Sequence, residues 1–169
     1  MISKKLQDAI NKQINAELYS AYLYLSMAAY FQEENLSGFA NWMQIQFQEE
    51  QFHAMKLFNY LTERGGRVIL QTIEAPKSDF DGVIAVFTET LEHERHVTKL
   101  LNELADVADE VRDRPTQNLV GWYVDEQVEE ENTAESILNS LKLINGEGHG
   151  MLMLDREFAT RVFTPPTNA

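Results

Sequence analysis

Prolines and clustered glycines occur at only five places in this chain, and the segments between those places are long. The five places are Gly65-Gly66, Pro76, Pro115, the stretch from Gly146 to Gly150, and Pro165-Pro166. Within the intervening segments, apolar residues recur every three or four positions, which is the period of an amphipathic helix. The pattern predicts helices at 4–33, 38–64, 80–108, 115–143 and 149–161.

Residues that favour helix ends flank these segments. Ser3 and Ser37 can accept hydrogen bonds from the unpaired N–H groups at the starts of the first two helices. Gly65-Gly66 can end the second helix, and Pro115 suits the first turn of the fourth. The predicted boundaries therefore have local chemical support.

The lengths of the links predict how the helices are arranged. Residues 34–37 and 109–114 are short links, so each joins two antiparallel helices. The link 65–79 is long, because fifteen extended residues at ~3.3 Å each reach roughly 50 Å, beyond the ~40 Å length of the second helix. Such a link lets helices two and three run parallel. We predict an all-α fold, a four-helix bundle with a long crossover between helices two and three and a short C-terminal fifth helix.

Composition excludes several classes of protein. The chain has no cysteine, which rules out disulfides and thiolate metal sites. Its 27 acidic and 14 basic side chains give a net charge of −13, which argues against a nucleic-acid partner because such binding depends on Lys and Arg. The apolar runs are far shorter than the ~20 residues that cross a bilayer, and the N-terminus lacks the apolar core of a signal peptide. We expect a soluble, cytoplasmic protein with no membrane partner.

Each of the four long helices carries a row of apolar side chains along one face, which we call its apolar stripe. Acidic residues interrupt each stripe near its middle. The interrupting residues are Glu17 in the first helix, Glu50 and His53 in the second, Glu94 in the third, and Gln127 and Glu130 in the fourth. The midpoints of equal-length helices in a bundle share one level, so we expect these six side chains to converge. His93 and His96 lie off the stripe of Glu94, and we expect both to be exposed.

Four carboxylates buried together need a counter-charge, since an unpaired buried charge is costly and like charges raise one another's pKa. No lysine or arginine lies on the four stripes, so the counter-charge is either protons or metal ions. One imidazole with several carboxylates and no thiol suits iron or manganese and can accept zinc. We predict a metal site formed by Glu17, Glu50, His53, Glu94 and Glu130. The neutral amide of Gln127 either belongs to this site or only forms hydrogen bonds.

The residues around these positions closely resemble the bacterial non-haem ferritins, and the resemblance covers nearly the whole chain. The shared motifs are Glu17 with Tyr24, Glu49-Glu50-Gln51-Phe52-His53, Glu94, and the run from Trp122 to Glu131. Ferritin-like di-iron sites take one Glu from each of two helices and Glu-x-x-His from each of the other two. Here the fourth helix offers Gln127-x-x-Glu130 in place of a second Glu-x-x-His pair.

Bacterioferritin is the nearest alternative family. It has a Glu-x-x-His pair on the fourth helix and a haem-binding methionine directly after the second-helix Glu. This chain has Glu130 and Gln51 at those positions, so we expect no haem.

The resemblance implies a ferritin-like domain over residues 1–163, with 164–169 as a loose tail. It implies iron storage and detoxification by a ferroxidase that oxidises Fe(II) with O₂ or H₂O₂ and deposits ferric mineral inside a shell of twenty-four subunits. Glu50 would bridge two ferroxidase irons, and Glu17 and His53 would bind one of them. The other iron would take Glu94, with Glu130 and Gln127 beside it.

Two further roles come only from the resemblance. A third iron would bind near Glu49, Glu126, Glu129 and Glu130, although a solvated helix face explains the first three nearly as well. Tyr24 would be a hydrogen-bonding, electron-donating tyrosine beside the metals. The alternative is that Tyr24 is an aromatic residue of the core whose hydroxyl group is simply hydrogen-bonded.

Three function classes stay open at this point. They are an iron-oxidising storage shell, a di-iron enzyme acting on peroxide or an organic substrate, and a non-catalytic assembly protein. The absence of cysteine argues against the second class, because no cysteine-rich electron-transfer module is present. A residue able to bind a metal ion stands at every predicted ligand position, which argues against the third class.

Overall fold

The fold consists of five helices in the computed structural model, which describes residues 2–165. They are α1 (Lys4–Glu33), α2 (Ser37–Glu63), α3 (Val83–Glu110), α4 (Arg114–Leu143) and α5 (Gly148–Phe158). The described residues contain no strand, so the predicted all-α class is confirmed. None of these helices combines the length and the apolar character that crossing a membrane requires. The predicted tail, residues 164–169, falls largely outside the described residues and stays a prediction.

Contacts between the helices give the directions in which they run. Helices α1 and α2 are joined by a short link and are antiparallel. Along α1 and α3, Lys12 pairs with Glu103, whereas Ser20, further along α1, contacts His93, earlier in α3. Helix α3 is therefore antiparallel to α1 and parallel to α2, as the long crossover predicts.

The crossover from Arg64 to Gly82 lies along α1 and is fixed there by side chains of that helix. Asn11 donates to the carbonyl oxygen of Arg67 at 3.0 Å and accepts from the backbone N–H of Ile69 at 2.8 Å. Helix α3 begins at Val83, three residues after its predicted start at about residue 80. The ring of Phe80 is buried against Tyr30, with 5.3 Å between the ring centroids, so Phe80 anchors the crossover and the helix begins only after Gly82.

The helix caps agree with the sequence at α1 and differ at α2. Ser3 accepts a hydrogen bond from the backbone N–H of Leu6, as expected. Ser37 does not cap α2, because it lies inside the helix. Asp155 of α5 takes that role, since its Oδ1 accepts from the N–H groups of Gly38 at 2.8 Å and Phe39 at 3.1 Å. A carboxylate at this position also interacts favourably with the helix dipole.

Helix α5 packs against α2 and is three residues shorter at its C-terminus than predicted. The ring of Phe158 contacts the ring of Phe39 edge to face, with 5.0 Å between centroids. The side chain of Asn41 donates to the carbonyl oxygens of Phe158 and Arg161 at 2.9 and 3.0 Å. These bonds satisfy backbone groups where the helix has ended, and they hold residues 158–161 against α2.

The core of the bundle is divided into two apolar clusters. One lies towards α5 and includes Phe31, Phe39, Met43, Phe87 and Leu138. The other lies towards the opposite end and includes Ile10, Ile14, Leu57, Leu101 and Val120. Between them lies a polar layer, formed by Glu17, Glu50, His53, Glu94, Gln127 and Glu130. The stripes therefore place their polar residues at one level, as predicted.

Candidate metal centre

The polar layer is almost completely removed from solvent. Five of its members are between 1% and 4% exposed, namely Glu17, Glu50, His53, Glu94 and Gln127. Glu130 is only half-buried, because its helix faces a cavity at this level. Apolar clusters cover the layer at both ends, so the charges on its buried carboxyl groups interact strongly with one another.

Three residues of the polar layer form a compact group that could hold a cation. Glu17, Glu50 and His53 each offer a ligand atom, and these atoms lie within 4.8 Å of one another. Within the group, Nδ1 of His53 lies 3.5 Å from Oε2 of Glu50. The spacing of residues 50 and 53 puts both ligands of α2 on one helix face, and Glu17 faces them from α1.

Glu94 and Glu130 are held by neutral partners at the other side of the layer. The hydroxyl group of Tyr24 donates to Oε1 of Glu94, and Nε2 of Gln127 donates to its Oε2 at 3.0 Å. Glu130 accepts a hydrogen bond from Nε2 of Gln46 at 2.9 Å. In this arrangement Glu94 and Glu130 belong to the polar layer without joining the compact group.

Three buried oxygen atoms in or beside the layer have no hydrogen-bond partner within residues 2–165. They are Oε2 of Glu17, Oε2 of Glu50 and Oε1 of Gln46. Leaving a buried polar atom unpaired costs about 1–3 kcal/mol, and more for a charged group. Among the described residues, no lysine or arginine forms an ion pair with Glu17, Glu50, Glu94 or Glu130. Unpaired carboxylate oxygens beside an imidazole fit a hard or borderline cation as the missing partner.

Burial shifts the acids of the layer towards their protonated forms. Burial first, and then the neighbouring Glu50, raises the pKa of Glu17 well above its usual range. Burial and the charges of Glu94 and Glu130 do the same to the pKa of Glu50. Burial and the nearby Glu130 raise the pKa of Glu94 to about 7, and burial with Glu49 raises the pKa of Glu130 to about 7. Without a cation, protons supply part of the counter-charge.

The acids predicted for a third iron line a cavity of about 240 Å³ between α2 and α4. Its walls include Glu49, Glu126, Glu129 and Glu130. Glu49 and Glu126 are half-buried and Glu129 is exposed. Among the described residues these acids do not form a compact cation-binding group, and Glu49 pairs with Arg161 at 2.7 Å instead.

Three residues that contact the centre were not predicted from the sequence. Gln13 donates to Oε1 of Glu17 at 2.9 Å, and its spacing of four residues from Glu17 could have revealed it. Gln46 lies four residues before Glu50 on α2, a spacing that places both side chains on one face of the helix. The hydroxyl group of Tyr123 donates to the backbone carbonyl oxygen of His53 at 2.7 Å, a contact between α4 and α2 that no local sequence signal indicates.

The expected exposure of the two neighbouring histidines is correct only for His96. His93 is half-buried, and its Nε2 lies 2.8 Å from the hydroxyl oxygen of Ser20 on α1. Burial, with a smaller contribution from His96, lowers the pKa of His93 to about 4. The imidazole of His93 is therefore neutral at physiological pH and packs between α1 and α3.

The chain is similar to a known protein family and to bacterial proteins over almost their full length. A ferritin-like domain, the ferritin family, matches residues 7–144. The bacterial non-heme ferritin of Bacteroides fragilis (strain 638R) is 43% identical over 161 residues, which cover 95% of this chain and 100% of that protein. The bacterial non-heme ferritin of Staphylococcus aureus (strain MRSA252) is 37% identical over 163 residues, covering 96% and 98%.

Solved structures agree with the sequence relatives. An Archaeoglobus fulgidus ferritin engineered into a closed form by site-directed mutagenesis is 51% identical, with a TM-score of 0.95 over 97% of this chain and 100% of that chain. An open-pore ferritin from the same hyperthermophilic archaeon is 50% identical, with a TM-score of 0.93 over 95% and 98% of the two chains. The predicted resemblance is confirmed, and the chain belongs to the ferritin family.

Proposed function

We propose that this protein stores iron and that its polar layer is a ferroxidase centre, which oxidises Fe(II) with O₂ before the ferric product is deposited as mineral. Membership of the ferritin family supports iron storage. The observation that carries the oxidation step is the compact group of Glu17, Glu50 and His53. Two of its buried carboxylate oxygens lack partners, and no basic side chain among the described residues pairs with it.

In this proposal Fe(II) is the substrate, and the polar layer holds two ions. Glu17 and His53 bind one ion, Glu94 and Glu130 bind the other, and Glu50 lies between them. Gln127 keeps the carboxyl group of Glu94 oriented through its hydrogen bond of 3.0 Å. Two ions bound side by side can each give one electron to the same O₂ molecule.

The raised pKa values of the acids imply that binding Fe(II) releases protons. At neutral pH the carboxyl groups of Glu94 and Glu130 are partly protonated, because burial and neighbouring acids raise the pKa of each to about 7. A bound cation replaces those protons, since carboxyl groups coordinate metals in their ionised form. In this proposal Tyr24 orients the carboxylate of Glu94 through the hydrogen bond that its hydroxyl group donates.

The cavity beside the centre gives the ferric product a place to move to. It lies next to Glu130 and is lined by the acids Glu49, Glu126 and Glu129. Carboxylates at the wall of such a cavity attract cations and can bind a third iron ion. We propose this cavity as a third site between the ferroxidase centre and the mineral.

The protein would assemble into a hollow homo-oligomer of twenty-four subunits. The named relatives include an open-pore ferritin and a ferritin engineered into a closed form, which supports a shell with openings. A particle of several hundred kilodaltons by size-exclusion chromatography with light scattering supports the shell. A dimer would favour the bundle-enzyme alternative.

The deciding experiment adds Fe(II) aerobically to metal-free protein and follows oxidation by absorbance and O₂ consumption. We expect oxidation faster than in buffer, followed by a mineral core visible by electron microscopy. The Glu50→Ala variant should oxidise Fe(II) no faster than buffer. Oxidation at the buffer rate by the wild-type protein, or an unchanged rate in the variant, would contradict the proposal.

A further inference from the structure

The guanidinium group of Arg161 is fixed at the wall of the acidic cavity. Its Nη2 lies 2.7 Å from Oε2 of Glu49, and its Nη1 donates to the backbone carbonyl oxygen of Trp42 at 3.3 Å. The guanidinium carbon also lies 4.7 Å from the ring centroid of Trp42. Only about a quarter of each charged side chain is exposed, 26% for Arg161 and 24% for Glu49, so solvent screens this pair weakly.

The backbone at Arg161 is held as firmly as its side chain. Its N–H donates to the carbonyl oxygen of Phe158 at 3.2 Å, and its own carbonyl oxygen accepts from Asn41 at 3.0 Å. Phe163, two residues on, packs near Phe52 at the same cavity, with 6.4 Å between ring centroids. The segment after α5 therefore fixes the guanidinium group of Arg161 beside Glu49 of α2.

Arg161 is the only lysine or arginine among the described residues that line the cavity, which also include His53, and it faces four acids. Its partner Glu49 is one of the acids that a third metal ion would use. A metal ion at this position must either displace the guanidinium group from Glu49 or bind with that carboxylate still shared. In both cases the positive charge of Arg161 lies close enough to the third site to weaken the binding of a metal ion there.

We propose that Arg161 is a built-in counter-ion of Glu49 that competes with a third metal ion and keeps that ion weakly bound. The inference rests on the proposed third site and deepens it. Iron would then pass through the cavity instead of remaining there, because the guanidinium group restores the pair with Glu49 once the ion leaves. Arg161 forms no ion pair with the proposed ferroxidase ligands Glu17, Glu50, Glu94 and Glu130. Its charge nevertheless acts on Glu130, which lines the same cavity.

The test measures the binding of Zn²⁺, which has no redox chemistry, to the assembled metal-free protein by isothermal titration calorimetry. The variants are Arg161→Gln and Arg161→Met, the second of which keeps an aliphatic side chain over Trp42. Arg161→Lys keeps the charge. Arg156→Gln is the matched control, because Arg156 is exposed on α5 and its loss changes the net charge equally.

We expect the two neutral variants to bind the third Zn²⁺ about tenfold more tightly than the wild type, since a nearby positive charge has been removed. Anomalous scattering at the zinc edge should place the added ion beside Glu49. Arg161→Lys should lie between the wild type and the neutral variants, and Arg156→Gln should match the wild type. Adding Glu49→Gln should abolish the gain, because the competition acts through that carboxylate.

A third-site affinity that changes by less than twofold in both neutral variants would overturn the role of Arg161. An equal gain in Arg156→Gln would also overturn it, because the effect would then come from net charge alone. Neither result would contradict the ferroxidase proposal, which depends on the two ions bound more tightly in the polar layer and on O₂ consumption. Failure of the wild type to bind any Zn²⁺ in the polar layer would instead count against the ferroxidase centre.

Discussion

The hydroxyl group of Tyr24 donates a hydrogen bond to Oε1 of Glu94, across the contact between α1 and α3. Both side chains are buried, at 0% and 1% exposure. The other oxygen of the same carboxyl group accepts from Gln127 of α4 at 3.0 Å. Three helices thus fix the orientation of one carboxyl group, which is what a ligand needs if it is to be in place before its ion arrives.

Replacing Tyr24 by Phe removes one of these two donors and leaves a buried carboxylate oxygen without a partner. The bond to Tyr24 favours the ionised form of Glu94, so its loss should raise the pKa of that acid and weaken Fe(II) binding. We expect Tyr24→Phe to slow Fe(II) oxidation about tenfold, as expected for the loss of one hydrogen bond of about 1.4 kcal/mol, with two Zn²⁺ ions still bound. Stopped-flow absorbance measures the rate.

Tyr22→Phe is the matched control, because Tyr22 lies on the same helix and is 49% exposed. Its oxidation rate should equal that of the wild type. Equal oxidation rates in the wild type and Tyr24→Phe would show that the hydroxyl group of Tyr24 forms a hydrogen bond in the core but does not contribute to Fe(II) oxidation.

Replacing Glu50 by Gln should stabilise the metal-free protein and remove its stabilisation by metal. The amide has nearly the shape of the carboxyl group but cannot ionise in its buried position. We expect the free energy of unfolding at pH 8 to rise by about 1–3 kcal/mol. Burying a carboxyl group that is ionised in the unfolded state costs free energy whether the group stays charged or takes up a proton. Calorimetry without metal should show a higher Tm, and added Zn²⁺ should raise that Tm much less than in the wild type.

Glu63→Gln provides the comparison, since Glu63 ends α2 and is exposed. It should leave both the Tm and its response to Zn²⁺ unchanged. A lower Tm for metal-free Glu50→Gln would mean that the carboxyl group of Glu50 stabilises the fold by itself.

The metal-free protein should lose stability as the pH rises from 6.5 to 8. The pKa values of Glu94 and Glu130 rise from 4.5 to about 7 on folding, so the folded state holds more protons than the unfolded state above about pH 4.5. Their contribution to stability is complete below that pH and is lost as the pH passes through 7. His93 acts oppositely, because its lowered pKa makes stability rise with pH, but only between about 4 and 6.5.

The Tm of the metal-free protein, measured at one protein concentration, checks this dependence. Constant concentration matters because assembly also contributes to the Tm. Saturation with Zn²⁺ should abolish the fall between pH 6.5 and 8, since the ions replace the protons. A Tm of metal-free protein that stays constant or rises over this range would contradict the assigned pKa shifts.

Replacing Gly38 by Ala should push α5 away from α2. A Cβ atom at this position would lie 1.6 Å from the backbone carbonyl oxygen of Asp155. The side chain of Asp155 caps α2 at the same place, so the clash also weakens the cap. We expect a loss of about 1–3 kcal/mol, the usual effect of overpacking, and faster proteolysis at the C-terminal end of the chain.

Gly121→Ala is the matched control within α4, where an added Cβ atom meets nothing within 4 Å. It should stabilise the protein by up to about 1 kcal/mol, because Ala favours a helix interior over Gly. Denaturant titration measures both variants. Equal stability of Gly38→Ala and the wild type would show that α5 can shift without loss.

The periodicity of the sequence was enough to locate the polar layer. A helix rises 1.5 Å per residue and turns every 3.6 residues, so position along the chain determines both the level and the face of a side chain. Glu17, Glu50 and Glu94 could therefore be assigned to one buried level before any contact was known. The crossover length added the parallel arrangement of α2 and α3, since a link must physically span the distance it covers.

Helix ends were predicted less well, because their partners lie far away in the chain. Ser37 is a suitable cap by residue type, but α2 uses Asp155 instead. The start of α3 moved to Val83 because Phe80 is buried against Tyr30. In both cases a tertiary contact outweighed a local preference, which is worth only about 1 kcal/mol.

By itself, therefore, the sequence determined which residues face the interior and at what height, because both follow from the repeat of one helix. Only the tertiary structure decided the pairing of Arg161 with Glu49, the cap that Asp155 gives to α2, and the bond between Gln46 and Glu130. These contacts join residues 84 to 117 positions apart. They depend on how helices and the segment after α5 dock against one another, and no local periodicity encodes that arrangement.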